Sequence, residues 1–247
     1  MTERTQSKIK FVGLHAHSVA GSIFDGLGFP QEHMEFAYSN GSDALALTDH
    51  GNMNGLSYQV LHAKKMKAEG KDFKPIFGVE AYFLPSIEEW QKEYDRIKAD
   101  AKLAKTLAKA GDTSGATVED EEASKKAVKS VINRRRHLVL LAQSQTGLNN
   151  LFKLISESYK EENFYRYPRV DYKLLDKYSE GVMASSACLG GPYAGNYWAN
   201  REEGPEAVRE AMRETTRQFV KIFGDRWYGE LQWNNIPEQH ELNQYVI

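Results

Sequence analysis

The chain has 247 residues, of which 41% are hydrophobic, and its formal net charge is −2 at pH 7. This length allows one sizeable core, and the near-neutral charge excludes a protein that attracts nucleic acid through a strongly basic overall field. The single cysteine, Cys188, excludes an intrachain disulfide. There is no signal peptide and no apolar run of the ~20 residues that a membrane span needs, so we expect a cytoplasmic protein without membrane contact.

Short apolar runs alternate with amphipathic stretches from residue 11 onward. The expected strands are 11–14, 44–48, 75–83, 137–142, 181–187 and 227–232, and the expected helices are 30–40, 56–69, a stretch including 148–155, 205–223 and 237–246. Strands interleaved with helices predict parallel β-α-β connections, in either a barrel or an open doubly wound sheet. No Gly-x-Gly-x-x-Gly motif follows the first strand, which argues against a dinucleotide-binding fold.

Residues 86–136 interrupt this alternation. They are rich in Ala, Lys, Glu and Asp, and we interpret them as an inserted helical arm, partly disordered in its middle, within a domain that spans 1–247. The arm ends in Arg134, Arg135 and Arg136. Such a charge run is usually a solvated surface, and the alternative is that these arginines contact DNA phosphates. Arg169, in an aromatic and basic loop at 163–169, is another candidate for such a contact.

Potential metal ligands follow the ends of several predicted strands. His15 and His17 lie two residues apart, so in an extended segment their imidazoles point the same way. His50 follows the second strand, Glu80 lies within the third, and Cys188 follows the strand at 181–187. Because functional residues of β/α barrels gather at the carboxyl ends of the strands, we expect these side chains to converge.

Two further candidates are Asp25, in the loop after the first strand, and His137, which fits less well because it lies at the start of its strand. Each candidate alone has an ordinary structural explanation, such as a turn histidine, a paired carboxylate or a buried thiol. Together they favour one site, and a mixed set of His, carboxylate and Cys suits Zn²⁺, with Mn²⁺ or Fe²⁺ as competitors. The remaining histidines are expected on helix surfaces: His33, His62 and His240.

The residues around these candidates form a series of motifs. They are His15-Ala16-His17, Thr48-Asp49-His50-Gly51-Asn52, Gly78-Val79-Glu80-Ala81-Tyr82, the run 137–142 and Ser186-Ala187-Cys188-Leu189-Gly190. The series resembles the motifs of the PHP (polymerase and histidinol phosphatase) family, most closely its branch at the N-terminus of the bacterial DNA polymerase III alpha subunit. The resemblance runs from about residue 9 to the end of the chain, outside 86–136.

This resemblance implies an α/β fold, a distorted (β/α)7-type PHP barrel, with up to three divalent metal ions. The ligands that it implies here are His15, His17, Asp25, His50, Glu80, His137 and Cys188. The family's pattern closes with an Asp-x-His on a seventh strand, and this chain stops at Ile247. We therefore expect an incomplete barrel that lacks the last strand and two ligands, without the elements that synthesise DNA.

The resemblance also implies a metal-dependent phosphoesterase that, in the complete protein, proofreads the 3′ end of a DNA primer as a 3′→5′ exonuclease during replication. Its partners would be DNA and the remainder of the polymerase, or a second polypeptide that completes the barrel. Whether this chain is itself an enzyme stays open. The alternatives are a non-catalytic PHP module that stabilises the polymerase, and a free-standing phosphoesterase that acts on small molecules.

Overall fold

A computed structural model describes residues 11–109 and 135–247. The described residues fall into two compact units, 11–83 with 136–247, and 84–109 with Arg135. The predicted arm 86–136 overlaps the second unit, in which Trp90 and Tyr94 stack along a helix with ring centroids 5.1 Å apart. Residues 110–134 lie outside the described part, so the arm as an insertion stays a prediction.

The fold is mixed α/β. In chain order the helices are α1 (Pro30–Ser39), α2 (Leu56–Ala68), α3 (Ile87–Lys109), α4 (Gln145–Ser158), α5 (Tyr172–Lys177), α6 (Pro192–Asn200), α7 (Pro205–Phe223) and α8 (Pro237–Val246). The strands are β1 (Ala44–Leu47), β2 (Lys74–Phe83), β3 (Arg136–Ala142), β4 (Phe164–Tyr165), β5 (Tyr167–Val170), β6 (Val182–Ser185) and β7 (Trp227–Tyr228). Among the described residues, no helix combines the length and the apolar character that crossing a membrane requires.

The sheet is mixed, which corrects the expectation of parallel connections throughout. Its order is β4-β5-β2-β3-β6-β7, with β1 paired to β2 off this path. β3 runs antiparallel to both of its neighbours, whereas β1 and β5 run parallel to β2, and β7 runs parallel to β6. The chain leaves β2 at Phe83 and enters β3 at Arg136 on the same edge of the sheet, so this pair is antiparallel.

The first predicted strand, 11–14, is reduced to a single bridge. Gly13 pairs with Leu45 in parallel, and the Gly13 carbonyl accepts a hydrogen bond from the Ala46 amide at 2.8 Å. The predicted strand at 227–232 is also shorter, because β7 contains only Trp227 and Tyr228 and the residues after it are irregular. Both segments nevertheless bring their following residues to the same edge of the sheet.

The hydrophobic pattern missed three short features, which are the hairpin described next, helix α5 and helix α6. The loop at 163–169 contains a hairpin in which Tyr165 pairs with Tyr167, and Arg166 makes the turn at φ 59°. Helix α6 was missed because Gly195 interrupts its sequence. A Cβ on Gly195 would lie 2.4 Å from the Arg136 Nε atom, so this glycine allows the helix to approach β3 closely.

The main core lies between the sheet and helices α4, α5, α6, α7 and α8. The ring of Phe219 on α7 is fully buried and stacks on Trp227 of β7, with centroids 4.1 Å apart and planes 5° apart. Leu138 and Leu140 of β3 are also fully buried in this core. α4 begins at Ser144, whose hydroxyl accepts a hydrogen bond from the Gly147 amide at 3.1 Å, as a helix cap does. This packing fixes the strands whose ends carry the candidate ligands.

Candidate metal centre

The strand directions explain why the candidate ligands converge. The carboxyl ends of β1, β2, β6 and β7 lie at one edge of the sheet, and antiparallel β3 places its first residues there as well. His137 pairs with Tyr82, two residues beyond Glu80, and His50 forms a bridge with Glu80. His137 therefore belongs with the other candidates although it lies at the start of its strand, because the start of an antiparallel strand lies beside the ends of its neighbours.

Glu80 is the centre of the arrangement. Its side chain is fully buried, and its Oε2 atom lies 2.7 Å from His15 Nε2 and 2.5 Å from His17 Nε2. Its other oxygen, Oε1, contacts His137 Nδ1. One carboxylate oxygen thus faces the nitrogens of His15 and His17, and the other faces that of His137.

Asp25 joins a second pair of imidazoles. Its Oδ2 atom lies 3.1 Å from His17 Nδ1 and 2.8 Å from His50 Nε2. The loop that carries Asp25 is held in place by Asp49, which is 3% exposed. The Asp49 carboxylate accepts hydrogen bonds from the hydroxyls of Ser18 at 2.8 Å and Ser22 at 3.0 Å. Asp49 therefore anchors this loop beside the strand end that carries His50.

Cys188 approaches the centre from the end of β6. Its Sγ atom lies 3.5 Å from His137 Nδ1 and accepts a hydrogen bond from the Gly190 amide at 3.4 Å. The preceding residue, Ala187, has φ 56°, a left-handed conformation that is unfavourable for a residue with a side chain. A Cβ on Gly190 would lie 3.0 Å from His137 Nδ1, so the loop closes tightly over this imidazole.

The protonation of the cluster follows from its buried carboxylates. Burial alone lowers the pKa of His15, but the carboxylates of Glu230 and Glu80 outweigh it and raise that pKa to about 10. Burial likewise lowers the pKa of His137, and its contacts with Cys188 and Glu80 raise it to about 9. Burial would raise the pKa of Glu80, yet the surrounding imidazoles hold that pKa well below its usual range. Without a metal, therefore, protons on His15 and His137 balance the buried carboxylates.

Three overlapping sets of side chains place their ligand atoms within 4.8 Å of one another. The sets are His15, His17 and Glu80; His17, Asp25 and His50; and His50, Glu80 and His137. The Nδ1 atom of His50 is buried and has no hydrogen-bond partner among the described residues, although it lies 3.7 Å from Glu80 Oε2. Buried nitrogen and carboxylate donors aimed at common points fit a divalent metal ion. Six of the seven predicted ligands belong to these sets, and Cys188 lines the same cleft of about 430 Å³.

Sequence reasoning missed two polar side chains of this region. Glu230 follows β7, and its Oε1 atom lies 2.7 Å from His15 Nδ1. His33, expected on the surface, instead lines the cleft from α1. Glu230 lies within the predicted strand 227–232, so the sequence did not place it at a strand end, whereas the strand ends at Tyr228 in the structure.

The structure describes three of the four candidate arginines. Arg134 lies outside the described residues, and Arg135 belongs to the second unit. Burial lowers the pKa of Arg136. Arg169 is 4% exposed, its Nε donates a hydrogen bond to the Asn163 carbonyl at 2.7 Å, and burial lowers its pKa to about 10. Contact of these residues with DNA phosphates stays a prediction.

Comparison with known proteins gives consistent matches. A family model described as the PHP domain matches residues 13–234. The DNA polymerase III subunit alpha of Aquifex aeolicus is 39% identical over 96% of this chain, and that of Borreliella burgdorferi is 34% identical over 96%. The chain spans 17% and 16% of the length of these two relatives. A solved structure from Bifidobacterium adolescentis aligns over 96% of this chain and 82% of its own chain, at 14% sequence identity. The TM-score is 0.40, which is below the level that defines a shared fold.

Proposed function

This chain belongs to the PHP domain family, and we propose that it is a metal-dependent phosphoesterase domain that removes nucleotides from the 3′ end of a DNA primer. The observation that carries the proposal is the convergence of His15, His17, Asp25 and Glu80 with further imidazoles in one cleft. The names of the relatives place similar sequences in DNA polymerase III alpha subunits, which supports DNA as the substrate and the remainder of a polymerase as the partner.

We propose that two of the three sets would each hold one divalent ion and that both ions would share the Glu80 carboxylate. On one side, His15 and His17 would complete the ligand set, and on the other side His50 and His137. Since these two sets share only Glu80, both can be filled together, whereas the set around Asp25 competes for His17 and His50. Zn²⁺ suits this imidazole-rich set with a nearby thiol, and Mn²⁺ or Fe²⁺ are the competitors.

When bound, divalent ions activate water and offset the negative charge that develops on phosphate oxygens. The chain's own residues prepare the site for this chemistry. Glu80 helps to hold protons on His15 and His137 until a cation replaces them, because its carboxylate stabilises either positive charge. The buried floor limits the water around the reacting phosphate, while the cleft stays open on the side of Asp25, which is half exposed.

Aromatic rings beside the cleft support a nucleotide substrate. Tyr82 stacks on the His50 ring, with planes 5° apart and centroids 5.8 Å apart, and its centroid lies 4.9 Å from that of Tyr167. A terminal base splayed out of a duplex stacks on such surfaces with about 1–3 kcal/mol per base. This surface favours an oligonucleotide end over a small phosphorylated metabolite.

A single-turnover assay on a 3′-mispaired, labelled primer tests the proposal. Chain that has been stripped of metal and reloaded with Zn²⁺ or Mn²⁺ should release the terminal nucleotide, and the His17→Ala variant should not. Glu206→Gln, which changes an exposed carboxylate on α7, is the matched control and should cut as the unchanged chain does.

Three outcomes would contradict the proposal. Cleavage that survives chelation or the His17→Ala change would move the chemistry elsewhere. Metal binding without any cleavage would favour the non-catalytic module. Hydrolysis of small phosphomonoesters without cleavage of the primer would favour the free-standing phosphoesterase.

A further inference from the structure

Glu230 contacts the candidate metal centre from behind. Its Oε1 atom lies 2.7 Å from His15 Nδ1, while the opposite ring nitrogen, His15 Nε2, lies 2.7 Å from Glu80 Oε2. Glu230 belongs to none of the three candidate ligand sets. The imidazole of His15 is therefore held between a carboxylate inside the centre and a carboxylate outside it.

The Glu230 side chain is itself fixed on both oxygens. The Ser185 hydroxyl donates a hydrogen bond to Oε2 at 2.7 Å, and the Gln232 side-chain amide donates to Oε1 at 2.8 Å. The backbone is fixed as well, because the Glu230 amide donates to the Ser186 hydroxyl at 2.9 Å. The pairing of Ser185 with Tyr228 in β6 and β7 sets the position of both partners.

An ionised carboxylate can only accept hydrogen bonds, so its neighbour His15 Nδ1 must carry the proton. A neutral imidazole with its proton on Nδ1 has its lone pair on Nε2, the nitrogen that faces Glu80. A carboxylate behind a ligating histidine fixes its tautomer and orientation and makes the imidazole a stronger donor.

We infer that Glu230, held by Ser185 and Gln232, is a positioning residue that fixes His15 in the Nδ1-protonated form and aims His15 Nε2 at the metal. This inference rests on the proposed function, because it requires a metal ion beside Glu80. It makes Glu230 part of the centre without making it a ligand.

Two measurements on the 247-residue chain test the inference. The first is the apparent affinity for Zn²⁺, from competition with a chromophoric chelator. The second is the tautomer of His15 in the Zn²⁺-loaded chain, from long-range ¹H–¹⁵N NMR spectra of the histidine rings, with the His15→Ala variant assigning the signal. The variants are Glu230→Ala, Glu230→Gln and, as a surface control, Glu206→Gln.

Glu230→Ala should weaken Zn²⁺ binding about 10- to 100-fold, the usual cost of losing a residue that orients a ligand. It should also free the His15 ring to bind Zn²⁺ through either nitrogen, so that the spectra no longer show a single Nδ1-protonated form. Glu230→Gln retains an oxygen that accepts from Nδ1, so it should preserve the tautomer and restore part of the affinity. Glu206→Gln should change neither quantity.

If both Glu230 variants left the zinc affinity and the His15 tautomer unchanged, the inference would be overturned. In that case, loss of zinc in His15→Ala would still support the proposed metal centre. If the unchanged chain bound no zinc, the proposed function would fail and the inference with it. If Glu230→Ala did not fold, the Glu230→Gln variant would decide whether the inference holds. A shifted His15 tautomer in Glu230→Gln, or a loss of zinc affinity as large as about 100-fold, would contradict the role of the acceptor oxygen.

Discussion

Replacing Glu80 by Gln tests the proposed bridge between two metal ions. Two of the three candidate ligand sets contain Glu80, and only one contains Asp25. In Glu80→Gln one carboxylate oxygen becomes an amide nitrogen, which cannot bind a cation because its lone pair is delocalised. We therefore expect the metal content to fall from two ions per chain to one or fewer, whereas Asp25→Asn should retain both ions.

The assay is elemental analysis of each chain after equilibration with Zn²⁺ and removal of the free metal. Glu206→Gln is again the matched control, since the Glu206 carboxylate is 73% exposed and, within the described part of the chain, pairs with arginines of α7. Equal metal content in Glu80→Gln and the unchanged chain would refute the bridge. A larger loss of metal in Asp25→Asn than in Glu80→Gln would also refute it, because that result would place the principal metal site at the loop that carries Asp25.

Four further results follow from the structure. The affinity for Zn²⁺ should rise with pH toward about 9 to 10, because His15 and His137, with pKa values of about 10 and about 9, must lose protons before they bind the metal. Binding should therefore release protons, which calorimetry in buffers of different ionisation enthalpy measures. In the metal-free chain, the contacts that raise these two pKa values also stabilise the fold. This stabilisation is fully present below pH ~6.5 and is lost as the pH rises through 9 to 10. A melting temperature that increased over that range would contradict the assignment. Gly190→Ala should push against the His137 ring and lower zinc occupancy, with little change in the metal-free melting temperature. Phe219→Ala should reduce the free energy of unfolding by about 3–5 kcal/mol, whereas Phe36→Ala, at a side chain that is 72% exposed, should have a small effect in the same denaturant titration.

The longer helices and the central strands could be predicted from the sequence because their hydrophobic pattern and their ends are both local signals. Helix α7 begins at Pro205 and ends before Gly224, as the sequence predicts. Strand direction is not a local signal, and for that reason the parallel arrangement around β3 was wrong. His137 shows the consequence, since its position at the start of a strand argued against a shared site until the antiparallel pairing was known.

The candidate ligands could be named from the sequence because histidines at strand ends are few and their motifs are distinctive. Their partners were harder to find. Glu230 is one of many glutamates in the chain, and only the pairing of β7 with β6 brings it to His15. Arg169 shows the opposite case, because its basic and aromatic neighbours predict an exposed contact while the hairpin buries its side chain.

Anomalous diffraction from crystals of the Zn²⁺-loaded chain, with data on both sides of the zinc absorption edge, tests the metal centre most directly. We predict a peak at about 2.0–2.1 Å from both His15 Nε2 and His17 Nε2, and a second peak beside His137 on the other oxygen of Glu80. The absence of any anomalous peak between these side chains, or peaks confined to histidines outside the cleft, such as His62 and His240, would contradict the account.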